Sequence, residues 1–461
     1  MKKLSFYIIA VIALTTGCTK TYDDTINGVP ADERISNSLT ILQNKLTKAP
    51  NGWIMIETTT GTAFNQGVSE TGPVATFSYF VEFNDSNKVK MFSDFDTSMA
   101  VVPKTSDFRI KELTRPALIF DTYSYLHVPC DPDPRISKSP YGVGYGWGTD
   151  FEFTFSENVS AESLGDTIRL IGNLNSAKVT LIKATKAQRD AYYAGGLQST
   201  MLAWGNIQNY FKRVNAGSTA FEMVPGLGGA KSIVVNTLDG AGNLKSVASN
   251  VFFTATSANL TTPVTVGALT VSRFDNIVWN AGTATITTNI NGSTAATISG
   301  SIAPLKNDVN APRTWWNKAV NNGDAYWVTV TNFHINGVDD ALKVANIPGY
   351  YGFTIFYPTF GVSNGINYDL LSPITTGATG PAISFGAAYR PPTFTAGGTV
   401  IFTQLGTLGT VPPGANTIFT NYRNKFADPS GYYLVLKEDG TTYDMVSVSD
   451  AKSWIQWLWI Y

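Results

Sequence analysis

Between Trp53 and Ala184 the chain alternates large apolar and polar residues in one short run after another, and this constrains the fold more than anything else in it. The stretch "TFSYFVEF" puts Phe77, Tyr79, Val81 and Phe83 on one face of a strand. A turn at Asn84 to Asn87 and then "KVKMFS" complete a hairpin. "WIMIETT" precedes it, and "FRIKEL", "ALIFDTY", "DFEFTFS", "TIRLIG" and "KVTLIKA" continue it. About eight strands result, a number that closes an up-and-down barrel or builds a strongly curled sheet.

One helix precedes the meander. In "GVPADERISNSLTILQNKLTKAPNGW", Ile35, Leu39, Leu42 and Leu46 recur at helical spacing and make a single buried face. Pro30 suits the first turn, Asp32 and Glu33 complement the positive end of the helix dipole, and Lys45 and Lys48 its negative end. Pro50, Asn51 and Gly52 stop it before Trp53. The expected architecture is mainly β with a few helices (α+β): an N-terminal helix packed on an antiparallel barrel-like meander, followed by further antiparallel β domains.

The organisation expected is a signal segment 1–17, a polar tether 18–29, a helix-plus-barrel domain 30–185, a helical connector and β domain 186–305, and a β-rich region 306–461, the last two forming one domain or two. The connector "KAQRDAYYAGGLQSTMLAWGNIQNYF" is helical but interrupted at Gly195 and Gly196. Residues 218–305 are rich in Thr, Ala and Asn with alternating apolar positions, as in solvated antiparallel sheet. A short helix over 309–322 carries Trp315 and Trp316, which as neighbours cannot both point inward. The ending "GYYLVLKEDGTTYDMVSV" is a hairpin turning at Glu438, Asp439 and Gly440. Both halves share a helix-then-strands order without an exact repeat.

The amino terminus carries an address. Lys2 and Lys3 precede an apolar stretch from Leu4 to Leu14, and Thr15, Thr16 and Gly17 lead into Cys18, the order of a secretory signal. The apolar run is too short for a permanent span, which needs ~20 residues. A cysteine directly after the small-residue site resembles the lipoprotein box, with Leu14 one position further from Cys18 than the usual large aliphatic. On that resemblance Cys18 is the lipid-attachment residue, and several acyl chains anchor stably where one does not. Asp23 and Asp24 follow in "TKTYDD", as in lipoproteins that face outward from the outer membrane. With Cys18 acylated, Cys130 has no intramolecular disulfide partner.

Charge excludes one class of partner. With 33 Lys+Arg against 34 Asp+Glu and no dense basic block, the chain has no field to attract a polyanion, and nucleic-acid binding is not expected.

Catalytic patterns are sparse. The two histidines, His127 and His334, build no H-E-x-x-H motif, no zinc cluster and no triad, so neither metal nor cofactor is expected. His127 stands near Cys130 in "HVPC", and carboxylates pair at Asp131/Asp133, Asp150/Glu152 and Asp339/Asp340. Asp150 and Glu152 share a strand face, the arrangement a glycosidase-like acid and base require, but every half-buried strand generates such pairs. The more suggestive binding feature is "SPYGVGYGWGTD", in which Tyr141, Tyr145 and Trp147 stand among glycines. Flat rings on loops stack on ligands, and the same composition also folds back to cover a barrel mouth.

Several of these segments carry a family resemblance. The helix ending in "APNGW", then "LIFDTYSYLHV", "GTDFEFTF" and "DTIRLIGNLNSAKVTLIKA" resemble an uncharacterised domain family of Bacteroidota lipoproteins, often found beside outer-membrane nutrient-uptake systems of the SusC/SusD type. The resemblance covers residues 30–185 and departs from the family at "NLNSA", where glycine and basic residues are more usual. It implies location and context, since the family has no established activity. The expectation is a non-enzymatic lipoprotein, anchored to the outer membrane and facing the cell surface or the periplasm, that assists capture of a glycan or peptide beside a TonB-dependent transporter. A secreted carboxylate-dependent hydrolase and a structural or adhesin-like lipoprotein are the alternatives.

Overall fold

The computed structural model describes residues 30–65, 67–112, 116–155, 165–226, 230–323, 325–437 and 439–460. Cys18, the signal and tether segments and Glu438 lie outside the described residues.

Helix α1 (Ala31–Thr47) follows Pro30 and buries Leu42 and Leu46, with Ile35 and Leu39 half-buried on the same side. It packs across the first sheet, whose strands are β1 (Trp53–Thr58), β4 (Thr76–Phe83), β5 (Lys88–Ser93), β6 (Lys104–Glu112), β7 (Pro116–Phe120), β8 (Glu152–Phe155), β9 (Thr167–Gly172) and β10 (Lys178–Lys183), with β2 (Thr62–Asn65) and β3 (Val68–Thr71) as a separate hairpin. The eight strands close into an antiparallel barrel, β1 pairing with both β4 and β10. Alternation decides what lies inside: Trp53, Met55 and Glu57 of β1 and Phe77, Tyr79 and Val81 of β4 are buried in its core. Leu42 and Leu46 enter that same core, and Trp53 Nε1 donates to Leu46 O at 3.1 Å, so the helix closes the Trp53 end of the barrel.

The connector is α2 (Lys186–Tyr193) and α3 (Gly196–Asn206), broken at Gly195, whose φ of +79° suits only glycine without strain. A second closed antiparallel barrel follows: β11 (Phe211–Ala216), β12 (Thr219–Gly226), β13 (Ser232–Leu238), β14 (Leu244–Phe253), β15 (Ser257–Val266), β16 (Leu269–Asn280), β17 (Thr285–Ile290) and β18 (Thr294–Ser301). Leu197, Ala203 and Trp204 of α3 pack into its core, Trp204 edge-on to Phe274 at 5.5 Å. The shared helix-then-strands order is therefore a structural repeat, two eight-stranded barrels each entered by a preceding helix.

The outer face of β4 joins the two. Phe80 stacks on Tyr192 at 4.6 Å, Ser78 Oγ donates to Phe253 O, and Asp94 accepts from the backbone N–H of both Ser78 and Phe253.

The C-terminal region is one twelve-stranded antiparallel sheet: β19 (Tyr326–Thr329), β20 (His334–Ile335), β21 (Tyr350–Ser363), β22 (Ile366–Gly377), β23 (Gly380–Ala382), β24 (Phe385–Tyr389), β25 (Thr393–Phe394), β26 (Val400–Ile401), β27 (Gln404–Gly409), β28 (Tyr432–Leu436), β29 (Thr442–Ser447) and β30 (Ser453–Ile460). Its core takes α4 (Ala311–Val320) and α5 (Asn416–Phe426). Trp315 is fully buried, stacked on Phe356 at 5.2 Å, while Trp316 is half-buried and its Nε1 donates to Asp369 at 2.8 Å. Trp457 is buried in the same core.

Candidate functional site

The glycine-aromatic loop caps the end of the first barrel opposite α1. Trp147 is buried, its Nε1 donates to Ser137 O at 2.7 Å, and its ring meets Phe77 and Tyr141 edge-on. The chain passes so close to itself that a Cβ at Gly148 would stand 2.5 Å from Thr62 O and one at Gly146 2.7 Å from Pro129 O. Both glycines have positive φ. Tyr141 is half-buried and its hydroxyl donates to Pro73 O at 3.2 Å; Tyr145 is half-buried as well. The three rings expected to share a ligand-facing surface are thus divided. Trp147 has no face left for a ligand, because it fills the barrel end, and the loop acts there as a lid.

The paired groups read from the sequence are dispersed in the same way. Asp150 is buried and its carboxylate accepts the backbone N–H of Leu174, Asn175 and Ala177, so it organises the β9–β10 turn and does not pair with Glu152 across a cleft. Its own N–H donates to Glu57 Oε1 at 2.8 Å. Glu57 went unmarked in the sequence; burial holds its carboxyl well above the usual range, with Tyr79 and Cys130 beside it. Burial also pushes the Cys130 thiol up, and Sγ lies 3.0 Å from Thr149 Oγ1. His127, its pKa lowered by burial, spends Nδ1 on Ser124 and Nε2 on Phe120 O. Both His127 ring nitrogens are thus engaged away from Cys130.

Asp131 and Asp133 are likewise spent locally, on Tyr123 and on the turn leading to Arg135. His334 Nδ1 contacts Asp339 at 2.6 Å and its ring stacks on Trp454 at 3.8 Å, while Asp340 caps the turn at Val344 and Ala345. Among the described residues no group of three or more His, Cys, Asp or Glu is placed to hold a metal.

The aromatic surface that the structure does assemble lies on the long β21–β22 hairpin. Tyr326 of β19, Tyr357 and Phe360 of β21 and Tyr368 of β22 form a row with successive ring centroids 5.8, 5.4 and 6.1 Å apart. A bulge builds it: Tyr357 pairs with Leu370 and Gly361 with Tyr368, so Pro358, Thr359 and Phe360 stand opposite Asp369 alone. Asp369 fills the bulge, accepting the Thr359 N–H at 2.7 Å and the Trp316 Nε1–H at 2.8 Å. Phe360 turns outward and is 37% exposed. A Cβ at Gly361 would stand 2.6 Å from the Tyr368 hydroxyl, so only glycine lets that ring lie across the strand. One signal for this surface was in the sequence: from Val344 to Tyr389 the only charged residue is Asp369, amid a high density of rings.

A family model described as a domain of unknown function, DUF4302, matches residues 23–281. The chain belongs to the DUF4302 family. The DUF4302 match takes in α1, the first barrel and the second barrel as far as the end of β16, so the aromatic row lies beyond it. No curated protein sequence matches the chain. Among solved structures, a Bacteroides fragilis protein provisionally described as an outer membrane protein aligns at 10% identity over 56% of this chain and 97% of its own, with a TM-score of 0.14, too low to support an argument.

Proposed function

We propose that this DUF4302 protein is a non-enzymatic binding lipoprotein of the outer membrane, anchored through Cys18, that holds a neutral glycan on the Tyr326–Tyr357–Phe360–Tyr368 row for a SusC/SusD-type, TonB-dependent uptake system. The observation that carries the reading is the row itself, three rings of a hairpin whose tip is exposed and Tyr326 of the neighbouring β19, each 5.4 to 6.1 Å from the next. Ring faces offer a π surface to the C–H face of a sugar. Around them stand hydroxyl and amide groups, Thr359, Ser363, Asn364 and Asn367, all exposed. Between Val344 and Tyr389 the only charged residue is the buried Asp369, so the described hairpin presents no exposed ion to a charged peptide, which favours a neutral polyol over such a peptide.

The anchor rests on the signal order and the Gly17–Cys18 junction, and the uptake partner on the family resemblance. No described helix is long and apolar enough to cross a membrane, a statement that leaves strands aside. The hydrolase alternative draws no support from Asp150, whose carboxylate is engaged by three backbone donors. A glycan array probed with the mature protein tests the proposal. Neutral oligosaccharides should be retained, and retention of peptides with no glycan bound would overturn it.

A further inference from the structure

Where the C-terminal sheet docks on the second barrel, a cleft of about 200 Å³ remains between them. Tyr210 and Lys212 line it from the start of β11, and Lys437, Asp444, Trp454 and Gln456 from the outer face of β28–β30. It opens toward solvent beside Thr331, which is exposed, and Lys437, which is half-buried.

Its charges do not cancel. Asp444 is fully engaged: Oδ2 accepts from the Tyr210 hydroxyl at 2.6 Å and lies 3.2 Å from Lys437 Nζ, while Oδ1 accepts from Gln456 Nε2 at 3.0 Å. Lys437 therefore balances Asp444. Lys212 is 8% exposed, and among the described residues its hydrogen-bond acceptor is the neutral Asn209 O at 2.8 Å. An ammonium has three N–H donors, so two remain to be used.

The other ions nearby do not line the cleft. Arg213, next along β11, stands 3.6 Å from Glu222 of β12, whose oxygens also accept from Asn236 and Leu305. Asp450 accepts the Lys452 backbone N–H, and the His334 ring, stacked on Trp454, is engaged by Asp339; neither lines the cleft. Among the described residues that line the cleft, Lys212 carries the positive charge that no carboxylate compensates.

We propose that this cleft binds a small monocarboxylate, its carboxylate seated on Lys212 Nζ and its body against the Trp454 ring. The volume admits roughly seven water-sized groups. A single uncompensated cation matches a monoanion, whereas a phosphate dianion would bring a second buried charge with no partner. Burial lowers the pKa of Lys212 to about 8, so the empty cleft surrenders its charge in mild alkali. The site shares no residue with the aromatic row and does not depend on it.

Ligand-observed NMR titration of the mature protein tests this, with acetate as probe, acetamide as its uncharged isostere and inorganic phosphate for comparison. Acetate should bind at pH 7 at least tenfold more tightly than acetamide or phosphate, and should weaken at least tenfold by pH 10 as Lys212 deprotonates. Lys212→Met should lower acetate affinity at least tenfold, while Phe360→Ala leaves it unchanged. Lys437→Met, which leaves Asp444 uncompensated at the mouth, should weaken acetate at least fivefold and decides the matter if the first variant does not fold. Failure of acetate to bind, equal binding of acetamide, or unchanged affinity in either lysine variant overturns the assignment.

Discussion

Lys231 Nζ lies 3.3 Å from Asp94 Oδ1, with the cation 3% exposed, the carboxylate wholly buried, and the ammonium 4.7 Å from the centre of the Phe77 ring. Asp94 follows β5 of the first barrel and Lys231 precedes β13 of the second, so one ion pair is sealed between the two barrels.

That pair should be costly to break and cheap to delete whole. Asp94→Asn or Lys231→Met alone leaves one buried charge without a partner, at a cost of about 3–5 kcal/mol. The double variant should lose less than the sum of the two. A double-mutant cycle on urea unfolding checks it, and simple additivity would contradict a coupled pair.

The lid account separates the loop aromatics. Trp147→Ala opens a cavity at the barrel end and should cost about 3–5 kcal/mol. Tyr141→Phe removes one hydrogen bond, to Pro73 O, and should cost only about 0.5–1.5 kcal/mol. Chemical denaturation of both variants measures this; a wild-type midpoint for Trp147→Ala would show that its ring does not hold the lid.

Asp369 predicts a pH dependence. Burial raises its carboxyl to about 6 in the folded chain, so between its unfolded value near 3.8 and 6 the folded state keeps a proton that the unfolded state has lost. Its contribution to stability is therefore most favourable below the unfolded value and declines as pH rises through this window, by up to about 3 kcal/mol. The stability difference between wild type and Asp369→Asn should shift against the wild type from pH 4 to pH 7. A difference flat across that range would contradict the assignment.

Anchoring has a direct readout. Cys18→Ser should move the protein from the membrane fraction to the soluble fraction after cell lysis, because the thioether that carries the lipid cannot form. Retention in the membrane fraction would place the anchor elsewhere.

Much of the scaffold was legible because it obeys local periodicities. Leu42 and Leu46 were fixed by helical spacing, Phe77, Tyr79 and Val81 by strand alternation, and the β28–β29 hairpin by Asp439-Gly440. What stayed hidden depends on residues far apart in the chain. Asp94 and Lys231 are 137 positions apart and each looks like an ordinary surface ion. The glycines around Trp147 left two readings open, a ligand surface or a cover over the barrel mouth, and it takes the distant Thr62 and Pro129 backbone against Gly148 and Gly146 to show that the chain folds back over the ring. The aromatic row was invisible to alternation because a bulge, not a regular strand, turns Phe360 outward.

The central claim concerns that row, and affinity electrophoresis in the neutral glycan best retained on the array tests it most directly. Each ring face removed should cost about 0.5–1.5 kcal/mol, so Phe360→Ala with Tyr368→Ala should weaken binding at least fivefold while Tyr141→Ala leaves it unchanged. Unchanged affinity in the folded double variant, or loss of binding in Tyr141→Ala instead, would contradict the account.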